Sequence, residues 1–563
     1  MVALAVVLAL LVGACGSPPA SPTPRPTTSP APASPTPEAC VAPTPAAPAG
    51  DVPWWSERVF YEVFVRSFAD SDGDGIGDLR GLTERLDYLN DGDPSGGDDL
   101  GITGIWLMPV AEAASYHGYD VVDYRAIERD YGTLADFRAL VTAAHERGIA
   151  VIVDLVLNHT SIEHPWFEES RTPGSERADW YIWADEDPHY GGGFGQQVWH
   201  PDGDRFYYAQ FVAGMPDLNL EHPGVTAELD GVAAWWLDEL DVDGFRLDAV
   251  KHLVEEGREQ EDTAATHEWL EGFHDRVEAV DPDALLVGEV LDLTLRSASY
   301  VPDAVDVTFD FELADKTILA LSAEDAATLR GTQRDVLEAY PGRAYAALLS
   351  NHDQPRIASQ VSDPAALRAA ASVLLTNPGL PFVYYGEEIG LTGPKPDERI
   401  RTPLPWDASG PGAGFTTGTP WEPLEEGWET RNVADSLADP ASLLAHYRSL
   451  IALRAAHPAL VLGSFTALDT GSPALYGFVA SDAEEAVVVL VNLGDEEISD
   501  YALTFEAPLA CGLTSAQLIH ADPSPVAAPT IPPPPVAPDG SITGWLPVAS
   551  IGPRGTVILA LDR

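Results

Sequence analysis

Apolar residues along the chain fall into short dense runs, and amphipathic stretches separate them with a regular beat. Val59–Phe68 is rich in aromatic and β-branched residues, the composition of a strand. Gly101–Met108 reads as a buried strand closed by Pro109. Thr133 then opens a helix: Asp136 stands at its third position, Phe137, Leu140, Val141 and Ala144 share one face, and Gly148 ends it. Ile149–Leu157 is apolar almost throughout, as a parallel strand covered on both faces must be. Further strands are predicted from Val242 onward and at Leu285–Glu289, Val305–Phe309, Tyr345–Ser350 and Phe382–Tyr385. Eight strands, each followed by a helical pattern, predict an α/β fold of the (β/α)8 TIM-barrel kind.

Three stretches break the beat. Thr160–Leu220, rich in Trp, Tyr, Gly and Asp, reads as a subdomain of about residues 160–220 inserted after the third strand, at the barrel mouth. Beyond Pro458 come the short β runs Ala474–Ala480, Ala486–Asn492 and Gly555–Leu561. They predict a C-terminal antiparallel β-sandwich over 459–563, with the Pro-rich piece Pro523–Pro538 as a loop. The third stretch is the N-terminus. Residues 1–15 are apolar and end in Val12-Gly13-Ala14-Cys15, too short to span a bilayer and shaped like a lipoprotein signal with Cys15 as the lipidated residue. Residues 16–50 are Pro, Ala, Ser and Thr with almost no large apolar side chain, which makes them a semi-rigid tether. The barrel then occupies 51–458. The expected location is the extracellular face of the cell envelope, held by the lipid, with plain secretion as the alternative. Cys40 and Cys511 remain as a candidate disulfide or as two free thiols.

Charge narrows the partners. With 88 acidic against 31 basic residues, the formal net charge is −57. Such a surface excludes nucleic acid, whose phosphates need basic residues. Lysine is nearly absent, at Lys251, Lys316 and Lys395 only. A monomer is expected, touching the membrane through the lipid alone.

Candidate chemistry centres on Val242-Asp243-Gly244-Phe245-Arg246-Leu247-Asp248. Alternation puts Phe245 and Leu247 on one side, Arg246 and Asp248 on the other. At the C-terminal end of a barrel strand a guanidinium then stands beside a carboxylate, to keep it ionised and oriented as a nucleophile. Two more acids end later strands: Glu289 in Gly288-Glu289-Val290 and Asp353 in Asn351-His352-Asp353. Glycoside cleavage with retention needs a carboxylate nucleophile and a protonated carboxyl roughly 5 Å apart. Two negative neighbours suit Glu289 as the acid, and Asp353 would hold sugar hydroxyls and stabilise charge developing at C1. Separately, Asp70, Asp72, Asp74 and Asp78 alternate with glycines in one loop, a pattern for a hard cation, Ca²⁺ foremost; Gly81 stands where an EF-hand would have its Glu. Asp78 is expected to cap the helix that follows it.

These segments resemble the α-amylase family of glycoside hydrolases from about Trp54 to the end. The matching motifs are Asp154-Leu-Val-Leu-Asn158-His159, Gly244-Phe-Arg-Leu-Asp-Ala-Val-Lys-His252, Gly288-Glu-Val290 and Leu349-Ser-Asn-His-Asp353. The resemblance implies Asp248 as nucleophile, Glu289 as acid/base and Asp353 as transition-state stabiliser. It implies contacts to sugar or to the catalytic acids for His159, Arg246 and His352, with Tyr119 stacked under the sugar at the cleavage site. Lys251 and His252 would meet sugars beyond that site. The Asp70–Asp78 loop resembles the family's calcium loop, with Asp70, Asp72, Asp74, Ile76 and Asp78 at its ligand positions. Asn158 matches the position of a second calcium in some members. Met215-Pro-Asp-Leu-Asn219 resembles the subfamily intermediate between oligo-1,6-glucosidases and neopullulanases, which includes lipid-anchored bacterial α-amylases. Tyr116 stands where exo-acting relatives usually carry Asp, which implies glucan chains running through the site. The reading is therefore an enzyme cutting α-1,4-glucosidic bonds internally in starch and maltooligosaccharides. An exo-acting α-glucosidase or a glucosyl-transferring relative such as a trehalose synthase is the alternative, and a glycan-binding protein on a dead barrel would require an acid to be lost. Arg401-Thr-Pro-Leu-Pro-Trp406 departs from the family's usual Met-Gln before Trp.

Overall fold

The computed structural model describes residues 52–93, 97–193, 195–507, 509–524 and 529–562. The signal segment with Cys15, the tether and Cys40 lie outside the described residues. Cys511 is disulfide-bonded.

Eight parallel strands close into a barrel in chain order: β1 Phe60–Val63, β2 Gly104–Leu107, β3 Ala150–Leu155, β4 Gly244–Leu247, β5 Leu285–Gly288, β6 Val307–Phe309, β7 Tyr345–Ala347 and β8 Leu380–Tyr384. The register closes on β1, where Phe60 pairs with Gly104 on one side and Phe382 on the other. All six residues of β3 are buried, which explains its unbroken apolar run. The barrel interior is filled by Phe60, Trp106, Ile152, Val287, Phe309 and Phe382 among others, with Phe60 stacked on Phe382 at 4.8 Å. At Gly244 the backbone of β4 comes so near β5 that a Cβ would stand 2.1 Å from the Leu285 carbonyl oxygen. Only glycine fits there, two residues before Arg246.

The outer helix after β2 forms where the pattern placed it, Leu134–Glu146, with Thr133 and Asp136 completing a capping box. It buries Phe137, Leu140, Val141 and Ala144, at roughly 1.5–3 kcal/mol for each large side chain. One expectation fails: the chain leaves strand geometry after Val63, and Val65–Phe68 is a helical turn. It turns there because the next residues must reach the Asp70 loop at the mouth. Asp78 then caps Leu79–Glu84 by accepting from Gly81 N–H at 2.8 Å.

Between β3 and β4 the insertion folds as a short helix, Pro165–Ser170, and a three-stranded antiparallel sheet of Trp183–Ala184, Trp199–Asp202 and Arg205–Tyr208. Its tryptophans build that fold. Trp180 and Trp199 are buried, Trp166 stacks on Tyr124, and Trp183 lies flat on Phe167.

The C-terminal part is a five-stranded antiparallel sheet facing a two-stranded one, Leu503–Phe505 with Ile542–Trp545. Leu475–Ser481 and Ala486–Asn492 are buried at every position. One face (Leu475, Val479, Val488, Leu490) packs under the small sheet, while the other (Tyr476, Phe478, Val487, Val489) joins the barrel's own core. Arg554 locks the seam at the Leu321 carbonyl, and on the barrel side Arg454 binds the carbonyls of Leu375, Asn377 and Gly379. Among the described residues, no helix is long and apolar enough to cross a membrane.

Candidate active site

Arg246 rises from β4 and is fully buried, and its single guanidinium serves three carboxylates. Nη1 lies 2.8 Å from Asp154 and 2.6 Å from Asp248, and Nη2 lies 2.8 Å from Glu289. The rings of Trp106 and Tyr119 stand 5.2 and 5.6 Å from it. Burial pushes Asp154 up to about 7 against the pull of Arg246. Yet its oxygens meet donors only, Arg246, the Trp106 indole and the Tyr119 hydroxyl, so the environment is built for the charged form.

Burial also raises Asp248 and Glu289 above the usual carboxylate range. Arg246 pulls Asp248 toward its charged form, but burial is the larger effect. One cation is divided among three acids, and lost hydration outweighs its share. Of the two raised acids, Glu289 is the better placed to hold a proton: Asp248 and Asp353 both add to its rise, and Arg246 and the Ala249 N–H (2.9 Å) engage only Oε2. Ala249 aims that N–H by taking a left-handed conformation, φ +50°, immediately after Asp248.

Asp353 is prepared in the opposite sense. His352 is fully buried, with Nδ1 2.6 Å from Glu62 and Nε2 3.1 Å from Asp353. Burial opposes its charge, but Asp353 and Glu62 overrule it and lift the imidazole to about 9. Arg401 adds Nη2 at 2.8 Å from Asp353 and donates Nε–H to the His352 carbonyl. Against the cost of burial, His352 and then Arg401 hold Asp353 well below the usual range. Tyr119 ties the two halves together, its hydroxyl 3.0 Å from Asp154 and 2.6 Å from His352 Nε2.

The remaining expected contacts are arranged less simply. Tyr119 stacks on His352 at 5.5 Å. His159 is buried with Nε2 unpartnered, and burial lowers its imidazole to about 4, so it is neutral. Lys251 and His252 are 8% and 6% exposed, and both are already engaged. Lys251 bonds the Leu291 carbonyl and pairs with Glu261, while His252 Nδ1 meets the Gln260 carbonyl. Asn158 spends its amide on the His252 carbonyl at 2.6 Å. Tyr116 is half-buried against Trp421, ring centroids 5.3 Å apart, with Arg401 over it.

A family model described as the catalytic domain of alpha amylase matches residues 62–463. The chain belongs to the α-amylase family. It is 38% identical over 451 residues to Alpha-amylase 3 of Dictyoglomus thermophilum, covering 78% of this chain and 85% of that protein. An oligo-1,6-glucosidase of Parageobacillus thermoglucosidasius is 32% identical over 521 residues, covering 79% and 91%. Among solved structures, the α-amylase from H. orenii superposes with a TM-score of 0.78 at 38% identity, covering 90% of this chain and 99% of that one. The chain is thus an α-amylase-family glycoside hydrolase, and the barrel-mouth acids stand where such an enzyme does its work.

The acidic loop follows β1. Carboxyl oxygens of Asp70, Asp72 and Asp78 lie within 4.8 Å of one another. Asp74 stands outside that trio and instead accepts from Ile76 N–H at 2.8 Å. Gly73 and Gly75, at φ +85° and +100°, let the loop press against residues 416–420, where a Cβ on Gly75 would stand 1.9 Å from the Thr419 carbonyl oxygen.

Four participants escaped the sequence reading. Glu62 was the one acid in an otherwise apolar strand, a signal that a buried partner must exist. Arg401 lay in the tract noted only for departing from the family pattern. Trp421 and Phe211 sit on loops without periodicity. Phe211 is 38% exposed, its ring edge-on to both His159 and His252.

Proposed function

We propose that the chain is an endo-acting α-amylase that cleaves α-1,4-glucosidic bonds by double displacement. The observation that carries this is the one guanidinium gripping both Asp248 and Glu289, which holds the two acids as neighbours, the arrangement that retention calls for. Glu289 gives its proton to the departing glycosidic oxygen while Asp248 attacks C1. Glu289 then takes a proton from water as that water releases the glycosyl group from Asp248. Asp353, held charged by His352 and Arg401, binds ring hydroxyls and stabilises positive charge at C1 in both steps. Tyr119 and His159 line the sugar, Arg246 and His352, fully buried, act on it only through the acids they hold, and Lys251 and His252 brace the floor beyond it. The aromatic pair Tyr116–Trp421 offers ring faces to a passing chain.

The three convergent carboxylates fit a hard, oxygen-liganded cation, so a structural Ca²⁺ would be held by Asp70, Asp72 and Asp78, pinning the loop after β1. Asp74 and Ile76 complete the loop around it. The protein acts outside the cell, anchored through lipid on Cys15. Iodine staining and reducing-sugar release during early digestion of soluble starch test the mode of attack. Internal cleavage loses colour fast while few reducing ends appear. Glucose as the sole early product would replace this reading with an exo-acting α-glucosidase.

A further inference from the structure

Half of the ten large hydrophobic side chains that stand exposed among the described residues lie on two short segments: Phe211 and Val212 on the insertion, and Leu291, Leu293 and Leu295 after β5. The second segment is built inside out. Its leucines are 57%, 64% and 79% exposed, while the polar residues between them hold it to the protein. Asp292 meets Lys251 and Arg296 at 3.4 and 3.6 Å, and Thr294 is buried, its hydroxyl donating to Asp310 at 3.1 Å. Apolar side chains in water above an anchored polar row reverse the usual arrangement, and such a patch marks a surface that meets something apolar. Main-chain bonds fix both segments. Lys251 Nζ donates to the Leu291 carbonyl at 3.0 Å, and the Tyr207 hydroxyl to the Ala213 carbonyl at 2.7 Å. Both also close on the leaving-group side of the cleavage point. Leu291 follows the proton donor Glu289 by two residues, a reach of at most about 7 Å. Its carbonyl meets Lys251, and the Phe211 ring lies 5.5 Å from His252, the next residue along.

We propose that this rim binds an apolar aglycone, an alkyl group on the alcohol oxygen from which the glucosyl chain is cut or to which it is transferred. Leucine and valine give sugar hydroxyls no donor or acceptor and no ring face to stack on, so one more glucose unit gains little there. An alkyl chain gains in proportion to the apolar area it takes from water, and the anchored segments need no ordering to receive it. The rim is continuous with the cleavage point, so its occupant is one attached to the reacting sugar. In cleavage, Glu289 gives its proton to the departing alcohol oxygen while Asp248 bonds to C1. In transfer, a free alcohol takes the place of water. Its oxygen bonds to C1 as the bond from C1 to Asp248 breaks, Asp248 leaves as a carboxylate, and Glu289 takes the alcohol's proton.

The site rests on the retaining-cleavage reading above, and the test separates the two. Full-length enzyme is given methyl and n-hexyl α-maltotrioside, and release of the free alcohol is measured. In a second assay maltoheptaose is digested with equal concentrations of methanol and 1-hexanol, and the glycosides of each are quantified by mass spectrometry. The hexyl glycoside should exceed the methyl one in kcat/KM by roughly tenfold or more, chiefly through KM, and hexanol should outcompete methanol to a similar degree. Leu291→Ser/Leu293→Ser, and separately Val212→Ser, all at exposed positions, should bring both preferences down severalfold while turnover of the methyl glycoside, too short to reach the rim, stays as it was. Equal rates on the two glycosides overturn the proposal, while hydrolysis of starch by the same protein upholds the enzyme reading. A hexyl preference that survives all three changes belongs to another surface and overturns it too. Self-association in sedimentation velocity that the leucine changes abolish, with no hexyl preference, assigns the rim to a second copy of the chain and likewise overturns it. Wild-type protein inert on starch and on both glycosides overturns both.

Discussion

Replacing Glu62 by Gln keeps the shape of a buried side chain and removes one of the two anions that charge His352. Raised from 6.5 to about 9, at roughly 1.4 kcal/mol per pH unit, the imidazolium contributes roughly 3–4 kcal/mol to stability. Because the folded-state value is the higher one, that contribution is fully present below pH 6.5 and disappears as pH climbs through 9. Glu62 and Asp353 share the effect, so Glu62→Gln should cost roughly 1–2 kcal/mol near pH 6. The gap between wild type and variant should close on the alkaline side of 9. Equilibrium unfolding in urea, followed by tryptophan fluorescence at several pH values, measures it. A gap that stays constant from pH 6 to 9.5 would refute a charged His352 and with it the account of how Asp353 is kept ionised.

Asp248→Asn should lose hydrolysis by orders of magnitude while binding maltoheptaose and unfolding like wild type; a folded variant that keeps more than a few per cent of activity on soluble starch removes Asp248 as nucleophile. Glu289→Gln should be nearly as damaged on starch but partly spared on aryl glycosides with good leaving groups, and equal losses on both would argue against it as proton donor. Chelator should lower the melting temperature and added Ca²⁺ restore it, since a ligand bound only to the native state stabilises it; no shift, together with no metal by elemental analysis, disposes of the cation at Asp70, Asp72 and Asp78.

The barrel was legible because parallel strands buried on both faces leave continuous apolar runs, and Ile149–Leu157 could be little else. The acids were legible because strand ends fix their address. What escaped detection depends on contacts between distant segments. Arg401 reaches Asp353 from 48 residues away and Glu62 reaches His352 from 290. The tryptophans of the insertion could line a groove or build a core, and only packing shows that they build the core. The full electrostatic setting of Asp248 was hidden for the same reason. A sequence displays the Arg246–Asp248 neighbours but not that Asp154 and Glu289 draw on the same cation.

That shared guanidinium has a consequence for anyone redesigning the enzyme. A change that shifts the affinity of Asp154, Asp248 or Glu289 for protons redistributes Arg246 among the other two, so the three cannot be adjusted one at a time. A mutational search for a new working pH that targets these acids directly will mostly return dead proteins. The freer dials lie one layer out, at Glu62 and Arg401, which act on Asp353 and His352 without a direct claim on Arg246. Over evolutionary time the same coupling would freeze the inner acids and leave variation to accumulate around them.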